Sequence, residues 1–338
     1  MNEVATIADV ARLAGVSAGT VSNVLNRPSY VSPATRGIVE RAMKELGYSP
    51  TSSARQYRLG RERTIGMLVA AVDHPFFADV ACGAEDTARA ANCAFIMLNS
   101  GNSTEREKLN FEVAVQLKVQ GLLVTPVEEQ EQVLDSYIKQ GIPVVFMDRI
   151  WSKRHRCSVA VDHVLGGSLA IEYLISLGHE RMAFVGGQTS FHQIALRLEG
   201  AQKVANDQGI EVPHFPTVGL GTMDGIRRAR DILAMPANVR PTAVLCANDV
   251  VALGFQQECL RAKVRVPEEI SIVGYDDLEV ASAAAIPLTT VSQPRREMGA
   301  TAVRLLLSEI EKPGEHVHQQ IVFEPSLVKR SSCEQPST

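Results

Sequence analysis

Two periodicities divide the chain. Over residues 6–26, TIADVARLAGVSAGTVSNVLN, apolar side chains recur every three or four positions, which is the spacing of a helix face. Ile7, Val10, Ala11 and Ala14 make one buried stripe, and Val21, Val24 and Leu25 make a second. Gly15 between them permits a sharp turn, because only glycine takes a left-handed conformation without steric cost. Thr6 caps the first helix, with Asp9 as the acid of a capping box, and Ser17 caps the second. Ala18, Gly19, Ser22 and Asn23 remain on another face of that second helix. Such a pair reads as a helix-turn-helix with a second helix sized for the DNA major groove, although an ordinary helical hairpin has the same pattern. Ser32-Pro33 then opens a third helix, predicted to bury Ile38, Ala42 and Leu46 and to stop at Gly47.

From Thr64 the pattern changes to continuous apolar runs separated by amphipathic stretches. TIGMLVAAV, CAFIMLNS, GLLVTP, PVVFMD, SVAVD, RMAFVGG, TAVLCAND and SIVGYDD read as buried strands, with helices between nearly all of them. That alternation predicts parallel sheets with helices on both faces, and so many strands favour two lobes over one. The fold class is therefore α/β, with a three-helix head on two doubly wound lobes. The expected domains are residues 1–48 (head), 49–62 (hinge or linker), 63–330 (two-lobed body) and 331–338 (tail). The segment SPTSSARQYRLG is polar and basic; it suits a plain linker, or a short helix that forms only against an anion.

Charge sharpens the picture. The whole chain carries −4, but residues 1–63 hold nine Lys or Arg against five acids, so the head is +4 and the rest −8. A basic head on an acidic body places phosphate attraction beside the helix-turn-helix. Hydrophobic residues make up 45%, as in a globular protein, and no run approaches membrane-spanning length. The opening MNEVATIADVARLAG lacks the blocks of a signal peptide, so a cytoplasmic location without membrane association is expected. Cys82, Cys93, Cys157, Cys246, Cys259 and Cys333 are scattered singly with no CxxC, and His316 and His318 fall in a polar surface stretch. Reduced core-filling thiols are expected, with no disulfide, metal or cofactor. Catalysis is not expected either: the nearest phosphate-loop signal, residues 219–225, is one residue too long for GxGxxG.

The head motif, VSPATR with KELGYSP, and then RTIGMLV, GLLVTP, GHERMAFVGG, RPTAVLCANDVVALG, VPEEISIVGYDD and LTTVSQP follow one another from about residue 5 to 330. In this order and spacing the chain resembles the transcription regulators of the lactose/galactose-repressor (LacI/GalR) family. The resemblance implies a body like periplasmic binding proteins, a homodimer on pseudo-palindromic operator DNA, and a hinge helix folding on the minor groove. It also implies allosteric control by a small effector between the lobes. Phosphate contacts would come from Thr6, Ser17, Thr20, Ser22 and Ser32, and base contacts from Ala18, Gly19 and Asn23. Ala18 and Gly19 are smaller than the polar residues usual there, which leaves Asn23 most of the hydrogen-bonded readout. The hinge reads Ala54-Arg55-Gln56-Tyr57, with tyrosine where the family has a wedging leucine; Arg55, Tyr57 and Arg58 are its DNA-contact candidates.

Effector contacts implied by the resemblance are Asp73, Phe76, Phe77, Asp148, Arg149, Phe191, Gln193, Arg197, Asn248 and Asp276. Short carboxylates and amides at strand ends suit hydroxyl groups, an arginine forks to hydroxyls or a carboxylate, and phenylalanines pack a sugar or base face. Each phenylalanine also suits the core, and Asp249 suits a helix cap. The expected function is a repressor of sugar-uptake or catabolic genes with a sugar effector. The alternatives are a nucleoside or purine effector, a protein corepressor, or no ligand.

Overall fold

The computed structural model describes residues 5–48, 63–127, 141–150 and 156–336. The chain divides into an N-terminal unit, Met1–Arg63, and a body, Thr64–Thr338.

In the N-terminal unit the local signals act as read. Helices α1 (Ile7–Ala14) and α2 (Ala18–Asn26) are joined through Gly15, whose φ of 65° is left-handed. Asp9 N–H donates to Thr6 Oγ1 (3.4 Å) while Thr6 N–H donates back to Asp9 (3.0 Å), completing the capping box. Thr20 N–H donates to Ser17 Oγ at 3.0 Å. A 3₁₀ turn (Pro28–Tyr30) leads to α3 (Pro33–Glu45), capped by Ser32. Val10, Ala11, Ala14, Val21, Val24, Val39 and Ala42 form one small core. The buried face of α3 differs from expectation: Val39 is fully buried, whereas Ile38 is 42% exposed and Leu46 is also exposed. Val39, Ala42 and the partly buried Met43 set the helical phase, and one residue back is a 100° rotation out of the core.

The body holds two six-stranded sheets. The first lobe orders its strands β11-β5-β4-β3-β1-β2, built from β1 (Arg63–Val69), β2 (Cys93–Asn99), β3 (Gly121–Val124), β4 (Val144–Met147), β5 (Cys157–Val161) and β11 (Gln320–Phe323). The second orders β12-β10-β9-β8-β6-β7, from β6 (Met182–Val185), β7 (His214–Phe215), β8 (Ala243–Cys246), β9 (Ser271–Asp276), β10 (Thr289–Ser292) and β12 (Ser326–Val328). Strand β12 is antiparallel to β10, while β10, β9, β8, β6 and β7 pair in parallel. All eight stretches read as strands form them. Strand β2, expected to be buried, lies at a sheet edge with only Cys93 inside. Strands β7, β10, β11 and β12 were not anticipated; the first is two residues long and β11 is half-exposed, so neither carries a strong pattern.

Helices α4 (Pro75–Ala90), α5 (Thr104–Gln116) and α11 (Arg295–Glu311) belong to the first lobe. Helices α6 (His163–Ser176), α7 (His192–Asp207), α8 (Thr222–Leu233), α9 (Asp249–Arg261) and α10 (Glu279–Ser282) belong to the second. Among the described residues the chain thus crosses between lobes three times: at Asp162 between β5 and α6, at Gln293-Pro294 between β10 and α11, and at Glu324-Pro325 between β11 and β12. Residues 331–336, set apart in the sequence reading as a tail, pack into the second lobe. Ser332 is fully buried and donates to Ile272 O, and Glu334 N–H donates to Ser271 Oγ.

Beneath the ends of β9 and β10 lies a buried carboxyl, Asp249, bonded to Leu278 N–H (2.7 Å) and Thr290 Oγ1 (2.6 Å). Gly274 is required beside it, since a Cβ there would fall 2.1 Å from Asp249 Oδ1. Burial, and then the Asp276 carboxyl, push the Asp249 pKa up to about 8. The folded protein therefore keeps a proton that the unfolded chain has lost, so this group's contribution to stability falls as pH rises from about 4 through about 8. Asp249→Asn is neutral throughout and can still accept from Leu278 and donate to Thr290. It should melt close to wild type at pH 5 and several degrees higher at pH 8.5; calorimetry at the two pH values checks this.

Candidate effector cleft and DNA-reading head

The parallel strands of both lobes aim their carboxyl ends at one cavity of about 750 Å³, the size of a small-ligand site. Asp73 follows β1, Asp148 follows β4, Asn248 follows β8, and Asp276 ends β9. Asp148 and Asp276 hold positive φ values of 59° and 109°, backbone strain of the kind that gathers at ligand sites. Helix α7 adds Gln193 and Arg197, four residues apart and hence on one face, just after its cap Phe191. Close packing holds that helix in place, because a Cβ on Gly167 of α6 would fall 2.0 Å from Arg197 O.

Of the ten predicted effector residues, nine line the cavity: Asp73, Phe76, Phe77, Asp148, Phe191, Gln193, Arg197, Asn248 and Asp276. Arg149 does not; it follows the left-handed Asp148 and is half-buried outside the lining. Phe76 and Phe77 serve two roles, since most of each ring is packed in the first lobe's core, edge to face at 5.2 Å.

Two histidines beyond the expected residues also meet at the cleft. His163, the first residue of α6, is buried and donates from Nε2 to Asp148 Oδ1 at 2.9 Å, a bond from the second lobe to the first. Its Nδ1 accepts from Arg197 Nε (3.4 Å) and lies 3.3 Å from the Tyr275 hydroxyl. Arg197 also donates to Ala247 O (2.6 Å), stacks 3.7 Å over the Tyr275 ring, and approaches Asp276 at 3.9 Å. Burial holds the His163 pKa below its usual value against the pull of Asp148, so the imidazole is neutral. His74 makes another link between the lobes. The Asn248 amide is oriented by Val251 N–H and by its own bond to Leu220 O, and its Nδ2 lies 2.8 Å from His74 Nε2. Burial lowers the His74 pKa as well. The missed signal was adjacency: His74 stands inside the DHPFF stretch, and His163 follows the strand-end Asp162.

In the N-terminal unit, Ala18, Gly19 and Asn23 lie exposed on α2, opposite the buried Val21 and Val24. Ser17 and Ser32 accept as helix caps, and Thr20 Oγ1 lies 2.9 Å from Ser17 Oγ, while Ser22 is half-buried. Thr6 points its hydroxyl proton at Asp9 Oδ2, 2.6 Å away. Arg55, Tyr57 and Arg58 lie outside the described residues.

Residues 6–51 match the family described as bacterial regulatory proteins, lacI family, and residues 171–333 match the periplasmic binding protein-like domain. The Ribose operon repressor of Escherichia coli K12 is 35% identical over 336 residues, covering 97% of this chain and all of that protein. The chain belongs to the LacI family of bacterial regulators. A second relative, the HTH-type transcriptional repressor PurR of Aliivibrio fischeri, is 36% identical over 97% of this chain and 98% of its own length. Among solved structures, the lac repressor dimer bound to operator and an anti-inducer superposes with a TM-score of 0.79 at 30% identity, covering 98% of this chain and all of that one. A LacI family transcriptional regulator from Enterococcus faecium with bound ribose gives 0.73 at 26%, covering 81% of this chain and 99% of that one. This LacI-family protein is accordingly a helix-turn-helix repressor with an effector-binding body, from a family of regulators, not enzymes. Among the described residues no helix is long and apolar enough to cross a membrane.

His163→Ala removes the donor to a buried carboxylate. It should lower body stability by about 3 kcal/mol. An unchanged urea midpoint would contradict the pairing.

Proposed function

We propose that this repressor binds pseudo-palindromic operator DNA as a homodimer in the cytoplasm and that a neutral sugar is its effector. The observation that carries the effector class is the charge and shape of the cleft. Three carboxyl groups, Asp73, Asp148 and Asp276, face the cavity with one guanidinium, Arg197, and a neutral His74. That excess of acceptors suits hydroxyl protons and repels phosphate or carboxylate groups. Phe76 and Phe191 offer apolar faces for the carbon side of a sugar ring. The ribose bound by the Enterococcus faecium neighbour and the cellobiose bound by the regulator CelR support the same class.

Because the cleft is lined by both lobes, a ligand there shifts the equilibrium between their arrangements by its differential affinity. The operator affinity of the head follows that equilibrium, the ligand acting as inducer or corepressor according to the arrangement it prefers. Asn23 reads a base edge, with Ala18 and Gly19 allowing close approach. Arg55, Tyr57 and Arg58 of the hinge serve the minor groove.

The test is a thermal-shift panel of pentoses, hexoses, disaccharides, sugar phosphates, nucleosides and purines. A neutral sugar at 100 times its dissociation constant should add about 2.7 kcal/mol, several degrees in melting midpoint. Sugar phosphates should have no effect. A response to purines alone would overturn the sugar reading. Asp73 is exposed to the cleft, so Asp73→Asn should keep the ligand-free melting midpoint. It should weaken the sugar by about tenfold to a hundredfold, as for loss of a charged hydrogen bond. In the head, Asn23→Ala should weaken operator binding about tenfold to a hundredfold and leave non-specific DNA binding nearly intact. Equal loss on all DNA in mobility-shift titrations would remove Asn23 from base readout.

A further inference from the structure

Away from the cleft, the fold gathers a group of side chains that the sequence scatters and that the regulatory site does not use. Cys157 begins β5 and is fully buried, and His316 and His318 stand on the extended segment leading into β11. Their spacing of two turns both rings to one side, while Val317 between them is 72% exposed. His316 Nε2 lies 3.2 Å from Cys157 Sγ and His318 Nδ1 lies 3.8 Å from it. The three ligand atoms fall within 4.8 Å of one another. A second observation comes from α11: Glu309 Oε2 is buried without a hydrogen-bond partner and lies 4.0 Å from His318 Nδ1.

We propose that Cys157, His316, His318 and Glu309 form a tetrahedral binding site for a thiophilic divalent ion of the zinc type. An ion with bonds of about 2.3 Å to sulfur and 2.0–2.1 Å to nitrogen and oxygen separates its ligand atoms by about 3.4–3.6 Å. The two distances from Cys157 Sγ, 3.2 and 3.8 Å, bracket that value, and the Glu309 carboxylate, 4.0 Å from His318 Nδ1, would swing inward to complete the shell. The outer contacts already suit a metal site. Ser308 Oγ lies 3.0 Å from His316 Nδ1, which leaves Nε2 directed at the sulfur, and Gln319 N–H donates to Cys157 Sγ at 3.3 Å. On binding, the thiol proton leaves to solvent. The thiolate and the Glu309 carboxylate together then balance the two charges of the ion, as a partly buried site requires. The ion would join the start of β5, the end of α11 and the approach to β11. Each of these runs to or from one of the three crossovers between lobes.

The test uses the full-length, untagged, reduced protein with zinc alone, and then cobalt alone as a spectroscopic substitute. Zinc should bind one per chain with half-saturation below about 1 µM, measured against a chromophoric chelator. It should also raise the melting midpoint. Cobalt should give tetrahedral ligand-field bands with a thiolate charge-transfer band. Cys157→Ser should abolish the charge-transfer band, and His316→Gln, at a half-exposed position that does not threaten folding, should weaken zinc by at least about tenfold. Absence of the thiolate band in wild type overturns the proposal. So does zinc affinity that is unchanged in a folded His316→Gln variant.

Discussion

The bond between His163 of the second lobe and Asp148 of the first is the contact on which the cleft depends. Both groups are buried, so neither can exchange the other for water without loss. His163 in turn accepts from Arg197, and Arg197 is held over the Tyr275 ring and anchored to Ala247 O. The arginine fork is thereby fixed in direction before a ligand arrives, which reduces the ordering a ligand must impose. The strained backbone at Asp148 and Asp276 persists because this network and the strand ends around it determine the positions of both residues.

A cleft whose two walls belong to separate cores can change shape without breaking either core. Each sheet has its own hydrophobic clusters, and among the described residues the chain passes between lobes at three short crossovers. Polar contacts link the lobes across the cleft, His163–Asp148 and His74–Asn248 among them. A small ligand supplies free energy on the same scale as such contacts, so it can decide between arrangements. Strand β5 takes part at both ends. Its last residue precedes the crossover at Asp162, and its first, Cys157, about 13 Å away at strand rise, meets His316 and His318.

Much was legible in the sequence because it rests on local physics. Capping hydroxyls, a left-handed glycine and a 3.6-residue stripe act within one or two turns, so the head could be read directly. Continuous apolar runs likewise identify strands that are buried on both faces. The same logic fails where the pattern is weak: α3 turns Val39 rather than Ile38 into the core, and the apolar run of β2 forms an edge strand, not a buried one. Nine residues expected from family resemblance and strand-end position line the cavity, whereas Arg149, which follows the left-handed Asp148, lies outside the lining.

Sequence alone determined the three-helix head, the alternating body and the polar character of the strand ends, since each follows from spacing along the chain. Tertiary structure decided which distant residues meet. His163 and Asp148 are 15 residues apart, His74 and Asn248 are 174 apart, and Cys157 and His316 are 159 apart. No periodicity records such separations. They are set by the order of strands within each sheet and by the three crossings between lobes, which return the end of the chain to both sheets.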